Sequence, residues 1–376
     1  MKLLAQERDL LERYLPGLYE RLDETPLEVL EGEQNPSINW YKETGGAGLL
    51  ISPDFGGAGV SAENMIKLTR AVASKAPSLA LCTTMHQFSL ASLIELSQNS
   101  DGPQWMLLDG IARDKLLMCS AFAEGRAGQS ILEPTMRAVW DGKNWLVSGR
   151  KQPCSLARSM DLITASVKLE KEGQPSVTGV ALIPAKSAGI SVEPFWQNKI
   201  LAGTESNALV LDNVEVHPDL VFELGLEFKG KLDDLQTYGF IWFELLLTTS
   251  YLGVAMSLVE RVFENNRGDE SARVALATEL KSMAMLLDSV AKELDEGLDR
   301  NECLAHALIA RYQVTSAIQR NIVKSVELLG GIAFIKSPEI SYLCSAAQAI
   351  SFHPPSRASA ISGLHSWFLG NVLTME

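Results

Sequence analysis

The spacing of apolar residues changes twice along this chain, and that change limits its fold more than any single motif does. From residue 1 to about 115 apolar side chains recur three and four apart, as one face of a helix requires. Leu3, Leu4, Leu10, Leu11 and Leu15 predict one helix that ends near Pro16, Ser61 to Leu81 a second, and Met85 to Leu96 a third. SPDFGGAGVS (Ser52 to Ser61) is a glycine-rich turn between them. From 116 to 222 the spacing is that of strands. VWDGKNWLV (Val139 to Val147) sets two apolar arms about Asp-Gly, the mark of a hairpin. LITASVKL, VTGVALIP, ISVEPFW and ALVLDNVEV follow at short spacing, which predicts an antiparallel sheet without room for crossover helices. From 223 to 376 helical spacing returns. Phe240 to Asn265, Ser271 to Leu298 and Asn301 to Leu329 predict long helices, and a last one runs from Pro338 to about Ser351, before His353-Pro354-Pro355. The order predicts an α+β chain with an N-terminal helical domain (1–115), a middle antiparallel β-domain (116–222) and a C-terminal helical bundle (223–376).

Charge narrows the function classes. Forty-six acidic against thirty-three basic residues leave a net charge of −13, which disfavours non-specific nucleic-acid binding. The most apolar run, Tyr238 to Met256, is nearly long enough to span a membrane but carries Glu244, Thr248, Thr249 and Ser250. It reads as a core helix, with no membrane partner and a cytoplasmic location expected. Cys82, Cys119, Cys154, Cys303 and Cys344 are odd in number and lack CxxC spacing, as free thiols in a reducing compartment would be.

The five histidines show no metal-ligand spacing, and neither GxSxG, GxGxxG nor a phosphate-binding loop with Lys-Ser/Thr occurs. Two polar residues in apolar surroundings stand out. Glu244, within FIWFELLL, is either paired inside the bundle or desolvated with a raised pKa, as a base for carbon acids would be. His353 is either a helix C-terminal cap or a catalytic group that needs no burial to work near neutral pH.

Five segments in order resemble the acyl-CoA dehydrogenase family across nearly the whole chain. PDFGGAGVS (Pro53 to Ser61) is similar to the family's PxxxGGxGxS loop, and AEGRAGQS (Ala123 to Ser130) stands where the family has TEPxAGSD. VSGRKQPCS (Val147 to Ser155) takes the place of LNGxKxWIT, followed by GTES (Gly203 to Ser206) and LDNVEV (Leu211 to Val216); ELLGGIAF (Glu327 to Phe334) resembles the QxxGGxGY turn. The resemblance implies FAD between the β-domain and the C-terminal helices. It implies that Ala121, Ala123 and Ser130 line the pyrimidine edge, and that Gly330 and Gly331 approach the adenosine part in a neighbouring subunit. It places Ser155 where the family has the hydroxyl that bonds flavin N5; a plain strand cap is the other reading. A hydroxyl suits that place because it can donate to the oxidised nitrogen and accept from the reduced one. It also implies a homodimer or homotetramer.

Departures from the family's pattern bear on function. Arg267 keeps the position that in the family grips the pyrophosphate across the dimer, but Glu270 and Ser271 replace the Phe-Gly after it, and Thr278 and Glu327 replace glutamines. Ala123, Pro153 and Ala202 stand at the family's Thr, Trp and Arg. The C-terminal glutamate is replaced by His353. Where some members carry the base on the first long C-terminal helix, this chain has Phe243, with Glu244 one residue beyond. Three readings follow. In the first, Glu244, taken ahead of His353, deprotonates an acyl thioester of CoA or of an acyl carrier protein; FAD takes the hydride and an electron acceptor reoxidises it. In the second, the chain is a monooxygenase supplied with reduced flavin by a partner reductase. In the third, it is a non-catalytic relative.

Overall fold

The computed structural model describes residues 1–98, 104–125, 134–224 and 233–375. Among the described residues seven helices come first: α1 (Ala5–Tyr14), α2 (Leu18–Glu24), α3 (Leu27–Leu30), α4 (Ser37–Glu43), α5 (Ala62–Ala73), α6 (Pro77–Gln98) and α7 (Gln104–Arg113). Ser61 starts α5 by accepting from Asn64 N–H. The break that follows differs from the expected one. It falls at 74–76, not between Leu81 and Met85, because Pro77 can open a helix but cannot continue one, so α6 runs unbroken through Met85.

Eight strands follow among the described residues: β1 (Met118–Ala121), β2 (Arg137–Trp140), β3 (Trp145–Cys154), β4 (Leu162–Glu170), β5 (Val177–Pro184), β6 (Ile190–Glu193), β7 (Asn207–Val216) and β8 (Val221–Glu223). They form one sheet in the order β6-β7-β3-β2-β4-β5-β8, with β1 also on β4. The β2–β3 hairpin closes with Trp140 opposite Trp145, where Asp141 accepts from the Lys143 and Asn144 N–H groups. The sheet is mixed, which corrects the antiparallel expectation: β1 and β2 both pair parallel to β4 along one edge. No crossover helix was needed, because β3, on the far side of β2, carries the chain back.

The bundle comprises α8 (Asp234–Glu264), α9 (Glu270–Asp295), α10 (Arg300–Leu329), α11 (Gly331–Lys336), α12 (Pro338–Gln348) and α13 (Arg357–Phe368). α8 begins six residues before the expected start at Phe240, because Asp233 and Gln236 form a capping box that satisfies its first N–H groups. Its apolar run is buried among other helices, as a core helix is. Gly253 permits the approach of α5: a Cβ there would lie 2.4 Å from the Arg70 carbonyl oxygen and 2.8 Å from Ala73 Cβ. All five cysteines are buried free thiols.

Candidate active site

Strand periodicity builds the floor of the site. On β4, Ile163, Ala165, Val167 and Leu169 turn into the core, so Thr164 and Ser166 face the other way. Ser120 on β1 pairs with Thr164, and Val180 and Leu182 on β5 pair with Ser166 and Thr164, placing all of them on that same face. Above this floor α6, the start of α8 and the 352–354 turn enclose a cavity of about 390 Å³. Phe88 of α6 packs edge-on to Phe243 of α8 at 5.5 Å and tilts against Phe122 at 6.1 Å, tying the helices to the sheet.

Buried ion pairs hold the rim. Lys151 of β3 donates to Glu124 at 2.8 Å and to Ser166 Oγ at 2.9 Å. Glu124 also accepts from Thr135 N–H, Thr135 Oγ1 and Met136 N–H, so one carboxylate fastens both sides of the segment between them. Burial pushes its carboxyl up, but the hydrogen bonds from Lys151 and Thr135 outweigh that and hold it down at about 2.

The expected bases lie differently from the expectation. Phe243 lines the cavity; Glu244, about 100° further round the helix, does not. It is 1% exposed and accepts from Arg311 Nη1 at 2.7 and 2.8 Å, while burial pushes its carboxyl up against the pull of that guanidinium. The paired alternative therefore replaces the catalytic base for Glu244. Arg311 in turn donates to the carbonyls of His353 at 2.6 Å and Pro354 at 3.0 Å, fixing the turn that carries the histidine. His353 does line the cavity, with Nε2 2.7 Å from Tyr251 Oη. Burial and then the Arg311 charge lower its pKa to about 3. It is neutral near pH 7, with one ring nitrogen free of a proton but a weaker base than an ordinary imidazole.

Among the other expected cofactor residues, Ala123 and Ser155 line the cavity, whereas Ala121 is fully buried between Ser120 and Phe122 and does not. Ser130 lies outside the described residues. Arg267 is exposed beyond the far end of α8, about 30 Å along the helix from residue 244. Gly330 and Gly331 lie at the end of α10, where an added Cβ would meet no atom of the described residues within 4 Å, and neither reaches the cavity. Sequence reasoning missed Thr204 and Ser206, whose hydroxyls form a row with Ser155 along one wall, and the pair Tyr251 and Arg311 behind His353. One signal was visible for the floor: Thr164 and Ser166 alternate with apolar residues on a strand whose other face is wholly apolar.

The cavity suits the ring of a flavin. Its aromatic and aliphatic walls fit the faces of a flat tricycle, and its hydroxyls suit that tricycle's polar edge. Ser155, the segment at Ala123 and the floor hydroxyls would hold it.

No protein-family model matches the chain. It is similar to the isobutylamine N-hydroxylase of Streptomyces viridifaciens, 42% identical over 99% of this chain and 100% of that protein. It is also similar to the putative acyl-CoA dehydrogenase YdbM of Bacillus subtilis, 21% identical over 96% of both. Among solved structures, FMN-bound TdsC of a Paenibacillus species superposes with a TM-score of 0.81 at 19% identity, covering 100% of this chain and 99% of that one. With its order of helices, sheet and bundle, and its full-length likeness to the hydroxylase, the chain belongs to the acyl-CoA dehydrogenase-like flavoproteins, as a divergent, flavin-dependent oxidoreductase.

Proposed function

We propose that the chain is a flavin-dependent monooxygenase that hydroxylates the nitrogen of a small apolar primary amine. One observation carries the reading: among the described residues lining the cavity there is no carboxylate and no cationic side chain. Removal of an α-proton from an acyl thioester requires a strong base there, whereas Glu244 is spent on Arg311 and burial leaves His353 a weak one. N-hydroxylation requires instead an amine with its lone pair free. An apolar cavity without a counter-ion favours the neutral amine over the ammonium ion, since desolvation penalises the charged form. The amine N-hydroxylase that the chain resembles at 42% identity supports the same choice.

When bound, reduced flavin supplies two electrons to dioxygen; one oxygen atom goes to the amine nitrogen, giving the hydroxylamine, and the other leaves as water. The chain's own part is to exclude bulk water with Phe88, Phe122 and Phe243 and to orient the amine. His353, with Nε2 engaged by Tyr251, offers its ring to the cavity as a neutral hydrogen-bonding partner. FAD and FMN share the ring the cavity takes. We take FMN as the exchangeable form, because the cavity accounts for the ring alone and a solved neighbour holds FMN. A partner reductase would deliver it reduced.

The test mixes the protein with FMN, a separate NADH-dependent flavin reductase, air and isobutylamine. Hydroxylamine formed in proportion to the protein supports the reading. Reduction of an external electron acceptor by an acyl-CoA thioester, with no hydroxylamine from any aliphatic amine, would restore dehydrogenation.

A further inference from the structure

The hydroxyls of Ser155, Ser206 and Thr204 make a row that ends on a carbonyl, and that end sets the direction of every hydrogen in it. Thr204 Oγ1 lies 2.8 Å from the Leu201 carbonyl oxygen, which can only accept, so Thr204 spends its one hydrogen there. Ser206 Oγ, 2.8 Å from Thr204 Oγ1, must then donate to Thr204. Ser155 Oγ, 2.9 Å from Ser206 Oγ, must donate to Ser206. Thr204 and Ser206 are 4% and 6% exposed, so water offers them little alternative. Ser155 lines the cavity and is left with lone pairs alone to present to it.

We infer that Thr204 and Ser206 are positioning residues that make Ser155 an acceptor, so that the site prefers reduced flavin to oxidised flavin. The redox-active ring nitrogen is a bare acceptor when oxidised and carries a hydrogen when reduced. Facing Ser155, the oxidised nitrogen would meet lone pair with lone pair, and the reduced one completes the row. A free hydroxyl would have served both states; the row removes that freedom. The inference rests on the flavin reading above and adds the redox state the site selects. That preference suits an enzyme loaded with flavin already reduced, because spent oxidised flavin would otherwise compete for the cavity.

The test is anaerobic equilibrium dialysis of the full chain against reduced FMN and, separately, oxidised FMN. Wild type is expected to bind the reduced form about tenfold or more tightly. Ser206→Ala and Thr204→Val should bring the two dissociation constants to within about threefold, while Thr204→Ser, which keeps the hydroxyl, should retain the wild-type ratio. Equal affinities in wild type, or a ratio unmoved by both Ser206→Ala and Thr204→Val, would overturn the inference and leave the flavin site standing. Binding of neither form by wild type would overturn the flavin reading as well.

Discussion

Phe243 and Glu244 are neighbours in sequence with opposite fates, one walling the cavity and the other locked to Arg311 behind it. The apolar setting of Glu244 was plain from FIWFELLL, but its partner lies 67 residues away, and no local pattern reveals that pairing. Glu244→Ala would leave the Arg311 guanidinium buried and unpaired. It is expected to lower unfolding stability by about 3–5 kcal/mol in urea titrations, and Arg311→Met in that background should recover part of the loss. Unchanged stability with turnover abolished would instead return Glu244 to a catalytic role. The cavity's chemistry makes a second prediction at this scale. Aliphatic amines have a pKa near that of a lysine side chain, about 10, so on the order of one molecule in a thousand is neutral at pH 7. With His353 held neutral down to about pH 3, kcat/KM for the amine should rise about tenfold per pH unit between 7 and 9. A flat profile over that range would show that the ammonium ion is the bound form.

At the scale of elements, α8 sets the site because it touches α5, α6, α9, α10 and α12 while offering its first turns to the cavity. Its length was largely legible from its apolar run; its start was not, because the residues that cap it are polar. Gly253 lies at the α5 crossing, where a methyl group would sit 2.4 Å from a backbone oxygen that cannot move without moving its helix. Gly253→Ala is therefore expected to cost about 1–3 kcal/mol and to lower the thermal midpoint, although alanine is the better helix former. A stabilised Gly253→Ala would mean that the crossing is looser than it stands here. α13 escaped prediction because its buried face is narrow: Ala360 and Gly363 are the buried positions of the helix, too little apolar surface to mark a period.

Across the whole molecule, Glu31 joins all three parts of the chain. It follows α3, accepts from Ser78 N–H at 3.0 Å and Ser78 Oγ at 2.5 Å at the start of α6, and accepts from Tyr342 Oη of α12. Its backbone carbonyl accepts from Gly203 N–H, and Tyr342 Oη accepts from Leu201 N–H, so the turn that bears Thr204 and Ser206 hangs on this junction. Burial raises the Glu31 carboxyl to about 7 despite those hydrogen bonds. A folded-state pKa above the unfolded 4.5 means that the folded chain holds the proton longer. Its contribution is fully present below about pH 4.5 and is lost as the pH rises through about 7, on the order of 3 kcal/mol. Glu124, depressed to about 2, runs the other way: its contribution is present above about 4.5 and lost as the pH falls toward 2. Glu31→Gln should therefore flatten the decline of stability between pH 5 and 7 while leaving the acid limb, as followed by denaturant midpoints. An unaltered profile in that window would show that Glu31 is ionised throughout. The bundle also exposes Val323, Ile332 and Ile335, and a dimer or tetramer is the expected result of light scattering.

The order of helices, strands and helices followed from the sequence alone, because periods of 3.6 and 2 are local properties that survive without knowledge of neighbours. So did the segments around Ala123 and Ser155, whose motifs are contiguous. The parallel pairing on β4, the partner of Glu244, the depressed pKa of His353 and the direction of the Ser155 hydrogen came only with the tertiary structure. Each depends on which distant group lies within about 3 Å, and in a folded chain that is decided by packing between elements rather than by spacing within them.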